Sequence, residues 1–420
     1  MKIAMIHTPF WSRSGGERQI LRLAVELQEL GHEVKIFTSG VNKESYPDLF
    51  RKVQVEVIPH PLAGKLPHGF VPEAAQPNID LKTFEKADEA PQLRKWIRKI
   101  LGRQFYTSEF PAMLELGRKI PTDFDLINNH NFPTEWAAFI AKKRVKAPIV
   151  WMCNEPPYWF YNPKFRNGLN KINWPLFEVL DKLSVNYIDE IMVLSKVGAG
   201  YVKKAYGRSS RVVRTGVDTE LLQSASGESV SKMYNLEKDF VLLQAGSIDP
   251  VKRQVDTVKA LHCLSRKYDN VRLIFDGPGS RVELEALSKK LGVRQKILFL
   301  HSKNDEELAE VYASCDAFIY PSSTSTWGMG PTEAMAASKP VIISKRAGVS
   351  EIVQDGVNGM VIDCASPEEI ARKVELLINN PELRQKMGQR AYEYIKSNLS
   401  WEKYAQRVEN VFQETLRRKK

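Results

Sequence analysis

The sequence predicts an α/β protein built as two Rossmann-like domains, each a doubly wound parallel sheet. Three observations carry that expectation. Short apolar runs of strand length alternate with stretches whose apolar residues recur every three or four positions. The alternation opens near residue 2 and opens afresh near residue 240, on either side of a polar stretch without periodicity. The 420 residues, 43% hydrophobic and 26% charged, suffice for two cores and give no sign of large-scale disorder.

Lys2 to Ile6 is the first expected strand. After a loop, Ile20, Leu23, Ala24, Leu27 and Leu30 fall at helical spacing up to Gly31, and His32 to Thr38 forms the next strand. A strand, a glycine-containing loop, a helix and a second strand make a βαβ unit. Further strands are expected at Val53 to Ile58, Leu126 to Asn129, Pro148 to Met152 and Glu190 to Leu194. The second series places strands at Phe240 to Gln244, Val271 to Phe275, Ile297 to Leu300, Ala317 to Tyr320 and Pro340 to Ser344. Its helices are expected at Gln254 to Lys267, Arg281 to Leu291, Asp305 to Ala313, Thr332 to Ala337 and Pro367 to Ile378. Gln223-Ser-Ala-Ser-Gly-Glu-Ser-Val-Ser has the composition of a linker, so the junction is expected near residues 218 to 238. The expected domains are residues 1–217 and 218–399, facing each other across a central cleft.

Residues 59 to 120 fit the alternation less well. His60 to Asn78 is rich in proline and glycine, and Leu93 to Phe105 interleaves Arg94, Lys95, Arg98 and Lys99 with Trp96, Ile97, Ile100 and Leu101. On a helix this is either a membrane- or acceptor-binding element or a solvated surface helix that packs its apolar face on the core.

The formal charge of +11 suits nucleic acid, an anionic membrane surface or a phosphorylated substrate. With no zinc finger, no RNP-type aromatic motif and no basic region joined to heptads, no nucleic acid is expected as a partner, and peripheral contact with an anionic membrane is the better fit. No apolar run approaches the roughly 20 residues of a bilayer span, so a cytoplasmic location, with the cytoplasmic membrane face included, is expected. Cys153, Cys263, Cys315 and Cys364 lie far apart without CxxC spacing and read as free thiols.

The chemistry concentrates in Tyr320-Pro-Ser-Ser-Thr-Ser-Thr-Trp-Gly-Met-Gly-Pro-Thr-Glu333. A strand ends at Tyr320, a loop carries Gly328 and Gly330, and Pro331 suits the first turn of a helix. The start of such a helix offers free backbone N–H groups and a positive dipole end, which suits a phosphate. Glu333, read as part of that first turn, can complement the dipole or accept two hydrogen bonds from a vicinal diol such as a ribose.

This segment resembles the signature of the family-four retaining glycosyltransferases of GT-B fold. There, two glutamates separated by seven residues flank a glycine-rich turn, followed by Ala-Met-Ala and Pro-Val-Ile. Glu333 matches the second glutamate, whose role in the family is to hold the donor ribose, while the first falls on Ser325. The resemblance extends along nearly the whole chain. Gly15-Gly16-Glu17 is similar to the amino-terminal glycine loop, and Arg214-Thr-Gly-Val-Asp218 to the interdomain element. Gly246-Ser-Ile-Asp-Pro-Val-Lys252 is similar to the strand-end loop where an arginine and a lysine bind the diphosphate. Lys252 stands at the lysine, Ser247 at the arginine, and Arg253 is the neighbouring cation. Asp276-Gly-Pro-Gly279 is similar to the next glycine turn, and the helix expected over 400–418 to the one that returns to the first domain.

The resemblance implies a glycosyltransferase of hexosyltransferase type that uses a nucleotide-diphosphate sugar. Its acceptor would be a glycan, lipid-linked or small molecule, transfer would retain the anomeric configuration, and neither cofactor nor metal is needed. The donor set it implies is Gly15, Gly16, Gly246, Ser247, Lys252, Arg253, Ser325, Gly328, Met329, Gly330 and Glu333. In the first domain, Asn129-His130 and Trp151-Met-Cys-Asn-Glu-Pro-Pro157 end strands, which is where parallel-sheet ligands gather. His130 and Asn154 join Lys252 and Glu333 as catalytic candidates, with Glu155 and Tyr158 similarly placed. Asn154 stands where relatives carry a histidine; it can bond a sugar hydroxyl but cannot act as a base. Electrostatic support of the leaving diphosphate would then dominate catalysis. Asp123-Phe-Asp125 has DxD spacing but precedes its strand, and reads as a solvated turn rather than a metal site. A GT-B nucleotide-sugar epimerase and a catalytically impaired binding subunit are the alternatives; a dehydrogenase is disfavoured by the absence of GxGxxG.

Overall fold

The computed structural model describes residues 1–11, 13–58, 105–157 and 174–419. The chain divides into two units. The first holds the residues up to Arg214 together with those from Tyr404 onward, and the second holds Thr215–Lys403.

In the first unit, β1 (Lys2–Ile6), β2 (Glu33–Thr38), β3 (Gln54–Val57), β4 (Leu126–His130), β5 (Ile149–Met152), β6 (Glu190–Val193) and β7 (Arg211–Val212) form one sheet in the order 3-2-1-4-5-6-7. All of its pairings are parallel. The central strands β1 and β5 are apolar apart from Lys2, as strands covered on both faces tend to be, whereas β4 buries Asn128, Asn129 and His130. Ala4, Ile6, Ile127, Ile149, Trp151 and Ile191 pack with Leu116, Trp136, Ala137 and Val202 from the helices on one face. The helix Gly15–Glu29 buries Ile20, Leu23, Ala24 and Leu27, the stripe its sequence spacing predicts.

In the second unit, β8 (Phe240–Ala245), β9 (Val271–Asp276), β10 (Ile297–Leu300), β11 (Ala317–Tyr320), β12 (Val341–Ser344) and β13 (Met360–Ile362) form a parallel sheet in the order 10-9-8-11-12-13. Its core joins Leu242, Leu273, Phe275, Ile319 and Ile342 to Val258 and Leu261 of the helix Gln254–Leu264 and to Ile370 and Val374 of the helix Pro367–Asn379. Each sheet reverses its strand order once, beside β1 and beside β8, and the crevices of doubly wound folds lie at the carboxyl ends of such strands.

The expected strands and helices lie where the sequence pattern puts them, with ends shifted by a few residues at most. The stretch read as a linker is different. Residues 219–234 contain two short helices, Thr219–Ser224 and Glu228–Tyr234. The Glu310 carboxylate holds the bend between them, accepting hydrogen bonds from the backbone N–H of Ser226 and Gly227, both at 3.1 Å, and from Ser229 Oγ at 2.8 Å. Polar composition here reflects a capped bend rather than a free tether.

The helix Trp401–Lys419 begins in the second unit and continues into the first. It buries Tyr404, Ala405, Val408, Val411 and Phe412, and near its end Arg418 and Lys419 pair with Glu190 at 2.6 Å and Asp189 at 2.7 Å.

Candidate functional site

At the carboxyl end of β8 the chain turns through Gly246 and runs beside the turn that follows β9. Gly246 N–H donates to Asp276 O at 2.8 Å and Ile248 N–H to Pro278 O at 2.7 Å. The two turns approach so closely that a Cβ on Gly277, whose φ is +143°, would lie 2.4 Å from Gly246 O. Glycine is required there on both counts.

Beyond Ser247, Asp249 caps the short turn Pro250–Lys252 by accepting from Val251 N–H at 2.8 Å. Gln244 Nε2 donates to Lys252 O at 2.8 Å while Gln244 Oε1 accepts from Thr257 at 2.7 Å, which ties the turn to β8 and to the following helix. From the other side, Ser323 N–H and Ser322 Oγ donate to Val251 O at 2.8 and 3.0 Å. The turn thus presents Lys252 from a braced backbone. Its ammonium donates to Tyr320 Oη at 2.8 Å, and Tyr320 Oη donates to Ser325 Oγ at 3.1 Å. Ser247 is exposed, and its carbonyl accepts from Gln254 Nε2 at 2.9 Å. Arg253 does not extend the cationic turn. Its guanidinium forks onto the buried Asp256 carboxylate at 2.5 and 2.9 Å and so serves a structural ion pair.

The helix after the glycine loop runs from Met329 to Ala336 with Gly328 as its N-cap, three residues earlier than the expected start at Thr332. Met329 and Gly330 therefore supply backbone N–H groups at the helix start, while Pro331 has none to give. This shift corrects the position of Glu333, which is the fifth residue of the helix, so no acidic residue lies in the first turn. Glu333 is only 5% exposed, and its carboxylate accepts from Tyr312 Oη at 2.8 Å. A tyrosine hydroxyl is thus one group that the structure sets against this carboxylate.

The first unit collects a different set of groups. Ser14 caps the helix Gly15–Glu29 by accepting from Glu17 N–H at 3.3 Å. A Cβ on Gly16 would lie 3.0 Å from Asn131 Nδ2, so the helix start abuts that amide. Asn131 follows β4 and His7 follows β1. His7 Nδ1 donates to Thr8 O at 2.7 Å, which leaves Nε2 to accept from Asn131 Nδ2 at 3.0 Å. Burial lowers the imidazole pKa to about 4, in keeping with a neutral ring that accepts at Nε2. Asn154, at the end of β5, donates through Nδ2 to Asn131 Oδ1 at 2.7 Å and to Gln19 Oε1 at 2.6 Å. Gln19 Nε2 donates in turn to Tyr404 Oη at 3.0 Å. Five side chains from five segments thus form one chain of neutral groups.

His130 stands apart from this set. It is fully buried, bonded through Nε2 to Asn128 Oδ1 at 2.7 Å, and burial holds its pKa well below the usual range. The strand end that suggested an acceptor-site histidine instead points it into the sheet interior beside Asn128, two residues back on the same face. Glu155 is half-buried, and Tyr158 lies outside the described residues, as do residues 60–78 and 93–104. Asp123 pairs with the Lys2 ammonium, and Asp125 accepts from Lys2 N–H at 2.7 Å, so the DxD spacing braces the start of β1. Among the described residues no group of three His, Cys, Asp or Glu side chains is placed to hold a metal ion, and no helix is long and apolar enough to cross a membrane. All four cysteines are free.

Tyr312, Tyr320, His7, Gln19 and Asn131 were not singled out from the sequence. Their signal was faint but present: His7 and Asn131 are polar residues directly beyond parallel strands, and Tyr320 closes another.

Two Rossmann-like units with matching strand orders and glycine turns at the strand ends define a GT-B protein. The family description "Glycosyl transferases group 1" matches residues 228–394 and "Glycosyltransferase Family 4" matches residues 81–221. The chain belongs to the family-four glycosyltransferases. A D-inositol 3-phosphate glycosyltransferase of Saccharomonospora viridis is 24% identical over 412 residues, which is 94% of this chain and 88% of that one. EpsD of Bacillus subtilis, which carries a glycosyltransferase name, is 28% identical over 233 residues, 54% of this chain and 61% of its own, so the match spans less than two thirds of that relative. Among solved structures, HepE of Anabaena in complex with UDP and glucose superposes with a TM-score of 0.73 at 17% identity, covering 99% of this chain and 100% of that one. At that identity the likeness speaks for the fold.

Proposed function

We propose that the protein transfers a hexosyl group from a nucleoside-diphosphate sugar to a hydroxyl of a glycan, lipid-linked or small-molecule acceptor, with retention of anomeric configuration. The observation that carries this reading is the gathering, at the carboxyl ends of β8, β9 and β11 and the helix start beyond, of a braced lysine, a buried carboxylate held by a tyrosine and a run of backbone N–H groups. Lys252 with the N–H groups of Met329 and Gly330 suits a diphosphate, and Glu333 suits a ribose diol. The complex of HepE with UDP and glucose supports the same donor class. In the first unit, the neutral chain through Asn154 and Asn131 offers amides for sugar hydroxyls and no base, in keeping with a reaction in which the leaving phosphate takes the acceptor proton. Peripheral contact with an anionic membrane belongs to the same reading and rests on the net charge of +11; vesicle binding should weaken as salt rises, and binding indifferent to salt removes it.

The test is a screen of UDP-, GDP-, ADP- and dTDP-sugars for thermal stabilisation and for slow release of the nucleoside diphosphate. A true donor at about 100 times its Kd adds about 2.7 kcal/mol to apparent stability. The anomer formed on the identified acceptor then decides retention. If no nucleotide sugar raises the melting temperature or is hydrolysed, the proposed activity fails.

A further inference from the structure

The Lys252–Tyr320–Ser325 chain has a direction. A phenol has one proton to give, and Tyr320 gives it to Ser325, so a lone pair of the Tyr320 oxygen faces the Lys252 ammonium. The same ammonium lies 5.2 Å from the Tyr320 ring centroid. A cation 2.8 Å from the hydroxyl and 5.2 Å from the ring centre sits beyond the oxygen rather than over the ring face, so the hydroxyl carries the contact and the π face does not.

The ring has little freedom. It is 3% exposed, stacks on Phe318 at 6.5 Å, and its Cε1 would lie 3.1 Å from a Cβ placed on Gly328. The segment that carries Tyr320 also clamps the lysine's own turn, through Ser322 and Ser323 onto Val251 O. Backbone and side chain of one strand end therefore converge on one ammonium.

We propose that Tyr320, held by Ser325, is a positioning residue that sets the Lys252 ammonium at the carboxyl end of β8 to receive the diphosphate of a nucleotide. The inference rests on the donor reading given above and adds to it the group that aims the cation.

The experiment measures binding of UDP, UMP, GDP and GMP to the full chain by calorimetry, for the wild type and for Lys252→Ala, Tyr320→Phe and Ser325→Ala. The readout is the preference for a diphosphate over its own monophosphate, which reports the cation at the second phosphate and is insensitive to a general loosening of the site. Tyr320→Phe keeps the ring and should reduce that preference about 10-fold, the scale of a hydrogen bond to a charged group, while monophosphate affinity changes by less than about two-fold. Ser325→Ala leaves the hydroxyl in place but unsteered, and should act in the same direction by about three-fold.

If the preference survives Tyr320→Phe and Ser325→Ala but falls with Lys252→Ala, the diphosphate site stands and the positioning role is wrong. An equal loss of both nucleotide classes in Tyr320→Phe marks a merely structural tyrosine and also overturns the proposal. Should Tyr320→Phe fail to fold, an unchanged preference in Ser325→Ala overturns it and a reduced one supports it. A wild type that prefers neither diphosphate, or a preference that survives Lys252→Ala, brings down the donor reading itself and this inference with it.

Discussion

Beyond β1 and β4, the first unit presents an imidazole and amides: His7, Asn131, Asn154 and Gln19, joined into one hydrogen-bonded chain. Beyond β8 and β11, the second presents an ammonium and, on the next helix, a carboxylate, each met by a tyrosine hydroxyl. The strand orders that lead to these two places are equivalent, 3-2-1-4 and 10-9-8-11. The backbone therefore decides where a site lies, and a few residues at the strand ends decide what it can do. Neutral amides orient hydroxyls at little desolvation cost; fixed charges answer a charge that grows during the reaction. On the proposed function, binding geometry would belong to the first unit and barrier lowering to the second.

The sharpest way to break the comparison is at Lys252. Lys252→Ala should lower kcat by on the order of 100-fold or more, because an ammonium facing a leaving diphosphate stabilises the transition state more than the bound donor. Folding should suffer little: the variant leaves Tyr320 its bond to Ser325, so stability should fall by about 1 kcal/mol at most. Full turnover in Lys252→Ala would put barrier lowering elsewhere.

Glu333→Gln comes next. The variant keeps shape and the Tyr312 contact but removes the negative charge, and nucleotide binding should weaken by about 1.5 to 3 kcal/mol if a ribose diol is held there. Unchanged nucleotide affinity in the folded variant takes the residue out of the site.

A third test, of stability rather than of binding or turnover, addresses the neutrality of the first unit. His7 has a folded pKa of about 4 against an ordinary 6.5, so between those values the unfolded chain binds more protons than the folded one. Stability contributed by the neutral ring is complete above pH 6.5 and is lost as pH falls through 4. The loss from His7 alone is up to about 3 kcal/mol, and His130, also depressed, adds to the same limb. Replacing His7 with Gln should flatten the stability profile over that interval in urea unfolding. A wild-type-to-variant difference that is equal at pH 4.5 and pH 7 would mean that the ring titrates normally, and the neutral chain would lose its anchor.

Much of the fold was legible in the sequence because parallel strands buried on both faces write themselves as apolar runs, as residues 240–243 and Ile149–Met152 do. The helices at Asp305–Ala313 and Gln254–Leu264 were equally plain from their apolar spacing. What escaped was short or was decided at a distance. Arg211–Val212 is a two-residue strand defined by its pairing with β6, and residues 219–234 become helical around Glu310, a carboxylate more than 80 positions away. The same holds at the site. Lys252, Glu333 and the glycine turns were visible as types of residue in a pattern, whereas the tyrosines that meet the two charges come from segments 68 and 21 positions distant, and no local pattern joins them. Arg253 differs, since its partner Asp256 is only three positions on and the ion pair became evident once the turn put both on one side of the helix start.

The helix Trp401–Lys419 carries a consequence for synthesis. Gln19 and Tyr404, bonded in the core of the first unit, lie 385 positions apart, and His32 meets Glu409 across 377. A ribosome delivers the strands of that unit first and its closing helix only after the whole second unit has been translated. The nascent first unit must therefore wait with the grooves for Tyr404, Val408 and Phe412 unfilled, while the second unit, contiguous in sequence, can close its own core on emergence. In a cell, the half that starts first finishes last.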